Sequence, residues 1–97
     1  MANPKLSDAI LNVLASSHSK FREEGSEAFE AMTQTDLMEA LREKGWRLPA
    51  AGWFLSEVRD AGFQAKQGYE FKGKVKRAFS DGSTGCVLSQ HQTIIFL

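Results

Sequence analysis

Cysteine is nearly absent: Cys86 stands alone among 97 residues, so no disulfide can form within the chain. A reducing, cytoplasmic setting is the expectation. Histidine is scarce as well. His18 and His91 lie far apart, and neither falls at a metal-ligand spacing from Cys86. Apolar runs are short, and the longest, residues 94–97, is far below the ~20 residues needed to cross a bilayer. No basic stretch followed by an apolar run opens the chain, so no signal peptide and no membrane partner are expected. A glycine-rich phosphate loop of either standard type is missing; residues 82–85 (Gly-Ser-Thr-Gly) read as a turn. Net charge is zero, so the molecule as a whole is not a polycation. These absences argue against an enzyme, against a metal site and against any cofactor.

What is present is enough for one small core. With 42% apolar and 10% aromatic residues, the chain is expected to fold as one domain spanning residues 1–97. A disordered composition, poor in apolar residues and rich in net charge, is not found. Charge is distributed unevenly. Residues 1–45 hold five Lys or Arg against eight Asp or Glu, and residues 46–97 hold seven against four. The basic half has the sign to meet an anion, although small proteins also scatter charge this way without a partner.

Three segments carry helical periodicity. Over residues 6–18, Leu6, Ile10, Val13 and Leu14 fall on one stripe, with Ser7 as N-cap and Asp8 in the first turn. Residues 16–27 are polar and read as a frayed end and a loop, and Phe29, Ala31 and Met32 fit a short edge strand. Thr33 or Thr35 caps the second helix, whose buried stripe is Leu37, Met38, Ala40 and Leu41, and Gly45 ends it. Trp46, Arg47 and Leu48 form a turn. Pro49 then opens a third helix over residues 49–61, with Phe54, Leu55, Val58 and Ala61 at helical spacing and Gly62 as its stop.

The back half switches to a period of two. From 69 to 79, Tyr69, Phe71, Val75 and Phe79 point one way, and Glu70, Lys72, Lys74 and Lys76 the other. One face is expected to join the core and the other to form a ladder of lysines about 6–7 Å apart. Residues 80–85 (Ser-Asp-Gly-Ser-Thr-Gly) signal a hairpin turn, and a second strand runs from Cys86 to the apolar terminus at residues 93–97. Cys86 and His91 on that strand would face opposite ways. The core is expected to draw on Ile10, Val13, Leu14, Leu37, Leu41, Phe54, Leu55, Val58, Phe71, Val75 and Ile94 or Ile95.

This order of elements, together with residues 33–63 (TQTDLMEALREKGWRLPAAGWFLSEVRDAGF) and the basic hairpin that follows, resembles the winged-helix domain, a helix-turn-helix variant. The resemblance covers residues 6–97 and stays at the level of the superfamily. It implies an α+β fold with three helices, a small antiparallel sheet and a C-terminal β-hairpin. It also implies that residues 49–61 are a recognition helix in the major groove and residues 69–97 a wing on the phosphate backbone.

Nucleic-acid binding is therefore the expected function, with DNA ahead of RNA. Lys72, Lys74 and Lys76 would neutralise phosphates, with Lys66 and Arg77 nearby. Arg47, Trp53 and Arg59 would touch the nucleic acid at the third helix. The same lysines also fit a solvated face that keeps a strand from pairing edge to edge. The helix's outward positions, Ala50, Trp53, Ser56, Glu57 and Asp60, offer none of the Arg, Lys, Asn or Gln that usually read base edges. That favours backbone-dominated or single-strand binding over sequence reading. A tryptophan at helical spacing is ordinarily core, and the same holds for Trp46. If Trp53 is exposed, it can stack on a base or anchor a protein. The alternative is a protein-interaction, adaptor or inhibitor module that uses the third-helix face without nucleic acid. A homodimer stays open under either reading.

Overall fold

A computed structural model of the protein describes residues 4–79 and 84–97. In chain order the elements are α1 (Pro4–Ser17), β1 (Lys20–Glu23), β2 (Phe29–Glu30), β3 (Met32–Thr33), α2 (Gln34–Glu43), α3 (Ala51–Asp60), β4 (Gln64–Gln67), a 3₁₀ turn (Gly68–Glu70), β5 (Val75–Ala78), β6 (Thr84–Val87) and β7 (Thr93–Phe96). The fold is α+β, with three helices and antiparallel sheets as expected. The single small sheet is not: among the described residues seven strands form two sheets, one ordered β2-β1-β5-β6 and the other β3-β7-β4. No helix among the described residues is long and apolar enough to cross a membrane.

The helices follow from their caps. The Thr33 hydroxyl accepts the Asp36 N–H at 3.2 Å, which satisfies one of the open donors at the start of α2. Both α2 and α3 end in the same motif. Gly45 and Gly62 take φ of 94° and 97°, conformations that L side chains rarely adopt. Their N–H groups donate to Arg42 and Arg59, and the next residues, Trp46 and Phe63, donate to Leu41 and Val58. Those two aromatic residues then pack onto the core. Two helix starts differ from expectation. α1 begins at Pro4, so Ser7 lies inside it rather than capping it. The N-cap of α3 is Ala50, which leaves Pro49 just outside the helix.

The core is a pair of clusters. The larger joins Ile10, Val13 and Leu14 of α1 to Leu37 and Leu41 of α2, Phe54 and Val58 of α3, and Ile95 of β7. The smaller joins Phe21, Ala31, Val75, Leu88 and Ile94. Every residue expected in the core is there, with Leu55 and Phe71 only partly buried against its flanks. Each fully buried Leu, Ile or Phe contributes about 1.5–3 kcal/mol relative to exposure. Adjacent Ile94 and Ile95 serve different clusters because successive strand residues point to opposite faces.

The expected continuous strand over residues 69–79 does not form. Residues 68–70 wind into the 3₁₀ turn, residues 71–74 are irregular, and only Val75–Ala78 is a strand. Side chains hold the backbone in this irregular path. Glu70 Oε2 accepts the Gln67 N–H at 2.7 Å. Glu23 Oε2 accepts the N–H groups of Lys72 at 2.8 Å and Gly73 at 3.1 Å. Gly68 packs so closely on the 89–90 backbone that a Cβ there would run into the Ser89 carbonyl. The second expected strand also divides. β6 pairs with β5 in one sheet, whereas β7 lies between β3 and β4 in the other. Within the expected hairpin turn, residues 80–83 lie outside the described residues, and Thr84 and Gly85 belong to β6.

Candidate nucleic-acid interface

The exposed lysines of the back half acquire neighbours from a part of the chain read as loop. Residues 20–23 form β1, which pairs along β5 with Arg22 opposite Lys76 and Lys20 opposite Ala78. A period of two puts Lys20, Arg22 and Lys76 on one face, while Phe21 turns inward and is 2% exposed. The β1–β5 contact continues past the strand: the Glu24 N–H donates to the Lys74 carbonyl at 2.9 Å, which fixes Lys74 beside Arg22. Arg22 is itself tied down, its Nε donating to the Ser26 carbonyl at 3.1 Å.

The result is a depression of about 420 Å³ lined by Arg22, Lys74 and Lys76, with Glu24, Gly25 and Thr84. Three cations against one carboxylate leave it positive. Glu30, opposite Lys20, adds an acid toward the sheet edge. A second depression of about 460 Å³ lies on the other side of Lys74, and Tyr69, Lys72 and Val87 are among its walls. Lys74 and Glu24 line both. Exposure still alternates through residues 71–76, with Lys72, Lys74 and Lys76 outward and Val75 buried. The lysines thus face solvent as expected, but they border two hollows rather than one flat ladder.

The other expected site residues lie apart from this group or are engaged. The Arg77 guanidinium is 3.7 Å from the Asp36 carboxylate and 5.1 Å from the Phe21 ring centroid, on the inward side of β5. Lys66 Nζ sits 5.5 Å from the centroid of Phe71, which stacks with Phe29 and lies tilted against Phe96. Arg59 donates to the Ala65 carbonyl at 3.1 Å, joining α3 to β4. Arg47 is exposed in the α2–α3 connection. Trp53 is 72% exposed, against the expectation that it packs inside. It lies early in α3, where burial follows Phe54 and Val58 on the opposite side. Tyr69 and Phe79, also expected inward, are 60% and 50% exposed; Tyr69 lies in the 3₁₀ turn rather than in a strand, and Phe79 lies just past the end of β5.

Sequence reasoning missed Lys20 and Arg22. Their signal is the alternation Lys-Phe-Arg-Glu around one apolar residue, too short to stand out from a polar run. Cys86 and His91 do not share a strand: Cys86 lies in β6 and His91 in the turn before β7, and both are exposed. Among the described residues, no group of three or more His, Cys, Asp or Glu is placed to hold a metal ion. No family model matches the chain, and neither a curated protein nor a solved structure matches it.

Proposed function

We propose that the protein binds nucleic acid, DNA ahead of RNA, through phosphate contacts on the outer face of the β2-β1-β5-β6 sheet. The observation that carries this reading is the convergence of Arg22 of β1 with Lys76 of β5 and Lys74 just before it, segments distant in sequence, around one depression with a single carboxylate. Lysine and arginine held together on a solvated face neutralise neighbouring phosphates and release their counterions. Lys20 and Lys72 extend the positive surface to either side. Arg59, Lys66 and Arg77 have intramolecular partners and take a lesser part.

The fold behind the interface is read as a winged-helix arrangement with an elaborated wing. In its favour, a short strand, β3, precedes α2, and a brief turn joins α2 to α3. β4 and β7 then pair as the hairpin that follows α3. Residues 68–92 would be an insertion within that hairpin, folded back so that β5 pairs with β1.

The test is binding to generic duplex and single-stranded DNA across a salt series, with Arg22→Ala, Lys74→Ala and Lys76→Ala combined. The slope of log affinity against log salt is expected to shrink by roughly 0.7–0.9 for each phosphate contact removed. Absence of binding even at low salt, or an unchanged slope in the triple variant, overturns the proposal.

One observation favours a second reading. Trp53 stands 72% exposed beside Ser56, Glu57 and Asp60, an aromatic anchor within an acidic rim suited to a protein partner. Retention of every captured partner by Trp53→Ala would remove α3 as that interface.

A further inference from the structure

We infer that the ligand is a single unpaired strand, and that Tyr69 stacks one of its bases while Lys74 joins that base site to the phosphate site. This rests on the phosphate-binding reading above and deepens it. The two depressions adjoin, sharing Lys74 and Glu24, but their chemistry differs. The one bounded by Arg22 and Lys76 is charged. The one bounded by Tyr69 and Val87 is amphipathic, because these side chains are 60% and 52% exposed next to Lys72 and Lys74. An aromatic face with cations at its side is what a nucleotide with a free base requires. A base inside a duplex has both faces covered and cannot use it.

The Tyr69 ring is exposed on a fixed backbone. The 3₁₀ turn beneath it is closed by Glu70 accepting the Gln67 N–H, and Gly68 is backed against Ser89. The Tyr69 N–H itself donates to the Gln90 carbonyl at 3.1 Å. A mounted aromatic is poised to stack without first being ordered, which lowers the cost of binding. The outward residues of α3 point the same way, since Trp53, Ser56, Glu57 and Asp60 lack the groups that read a duplex major groove.

The experiment measures fluorescence anisotropy with labelled oligonucleotides of about 12 residues, within the site sizes of small single-strand binders. Unpaired DNA, unpaired RNA and duplex DNA of equal length are compared for the unaltered protein, Tyr69→Ala and Tyr69→Phe. An unpaired strand is expected to bind several-fold tighter than duplex. Tyr69→Ala is expected to lose about tenfold or more on the unpaired strand with its salt slope unchanged, and Tyr69→Phe to retain affinity. Tighter binding of unpaired RNA than of unpaired DNA supports the inference and assigns the sugar. Duplex binding as tight as single-strand binding, or an indifferent Tyr69→Ala, overturns it and leaves the phosphate reading standing. Failure of all three nucleic acids to bind overturns both. Thermal unfolding of Tyr69→Ala, expected to match the unaltered protein because the ring is exposed, separates lost stacking from lost fold.

Discussion

Glu23 holds the segment that presents two of the lysines, and its removal has a calculable effect. It is the last residue of β1, opposite Val75, and one carboxylate oxygen accepts the N–H groups of Lys72 and Gly73 at 2.8 and 3.1 Å. A hydrogen bond to a charged group contributes about 1.5–3 kcal/mol when well buried. Here the carboxylate is half-buried and Lys72 is exposed, so water replaces part of each bond. A contribution of about 0.5–1 kcal/mol per bond is the reasonable discount, or about 1–2 kcal/mol in all for Glu23→Ala. For a domain of this size, 1 kcal/mol moves Tm by roughly 4–8 °C, so the expected loss is roughly 5–15 °C. Glu23→Gln keeps an acceptor oxygen and should lose about half as much, since a neutral acceptor bonds more weakly. Circular-dichroism melts measure this, and amide exchange at Lys72 and Gly73 localises it. A Tm of Glu23→Ala within about 2 °C of the unaltered protein, with both amides equally protected, refutes the reasoning.

Two further outcomes are expected. His18, which joins α1 to β1, has φ of 56°, a left-handed conformation that strains a residue with a Cβ. His18→Gly should therefore raise stability by about 0.5–1 kcal/mol in denaturant titration, despite the added freedom of the unfolded chain. Glu24→Gln removes the one carboxylate that lines both depressions while keeping the side-chain stem against Gly73. It should tighten oligonucleotide binding about two- to fivefold at low salt, an advantage that fades as salt screens the charges.

The helical part of the fold was legible because its signals are local. Thr33, Gly45 and Gly62 each act on a backbone group within a few residues, and the apolar stripes of all three helices repeat at helical spacing. The inward set of the core followed from the same periodicities. The strand over residues 69–79 was misread because what interrupts it comes from elsewhere. The Glu23 carboxylate lies 49 residues before the Lys72 amide it binds. Gly68 owes its place to the turn at Ser89. No pattern within residues 69–79 carries that information. The site was half legible for the same reason: Lys74 and Lys76 stand out as alternating charges, whereas Lys20 and Arg22 gain meaning only once β1 is seen to pair with β5.

The interruption of that strand makes the site rather than spoiling it. On a regular strand the three lysines would stand about 6–7 Å apart along a flat surface, each fully solvated and each equally able to meet any anion. Tyr69 would have turned into the core with Val75. Breaking the ladder at residues 71–74 changes both outcomes at once. It releases Tyr69 to the surface, and it sets Lys74 on the wall between two hollows. Concavity brings charges from different segments toward one ligand group, so that their fields add there. An aromatic face set beside that field adds a preference a lysine ladder cannot have, because lysines alone do not distinguish a stacked base from an open one. Under the proposed reading, the Glu23 carboxylate, which accepts two backbone N–H groups, would be a positioning group for binding as well as for stability. If it acts that way, Glu23→Ala should weaken oligonucleotide binding at temperatures well below its own melting transition, where the fold is intact. Undiminished binding there would confine Glu23 to stability and leave the hollows to form without it.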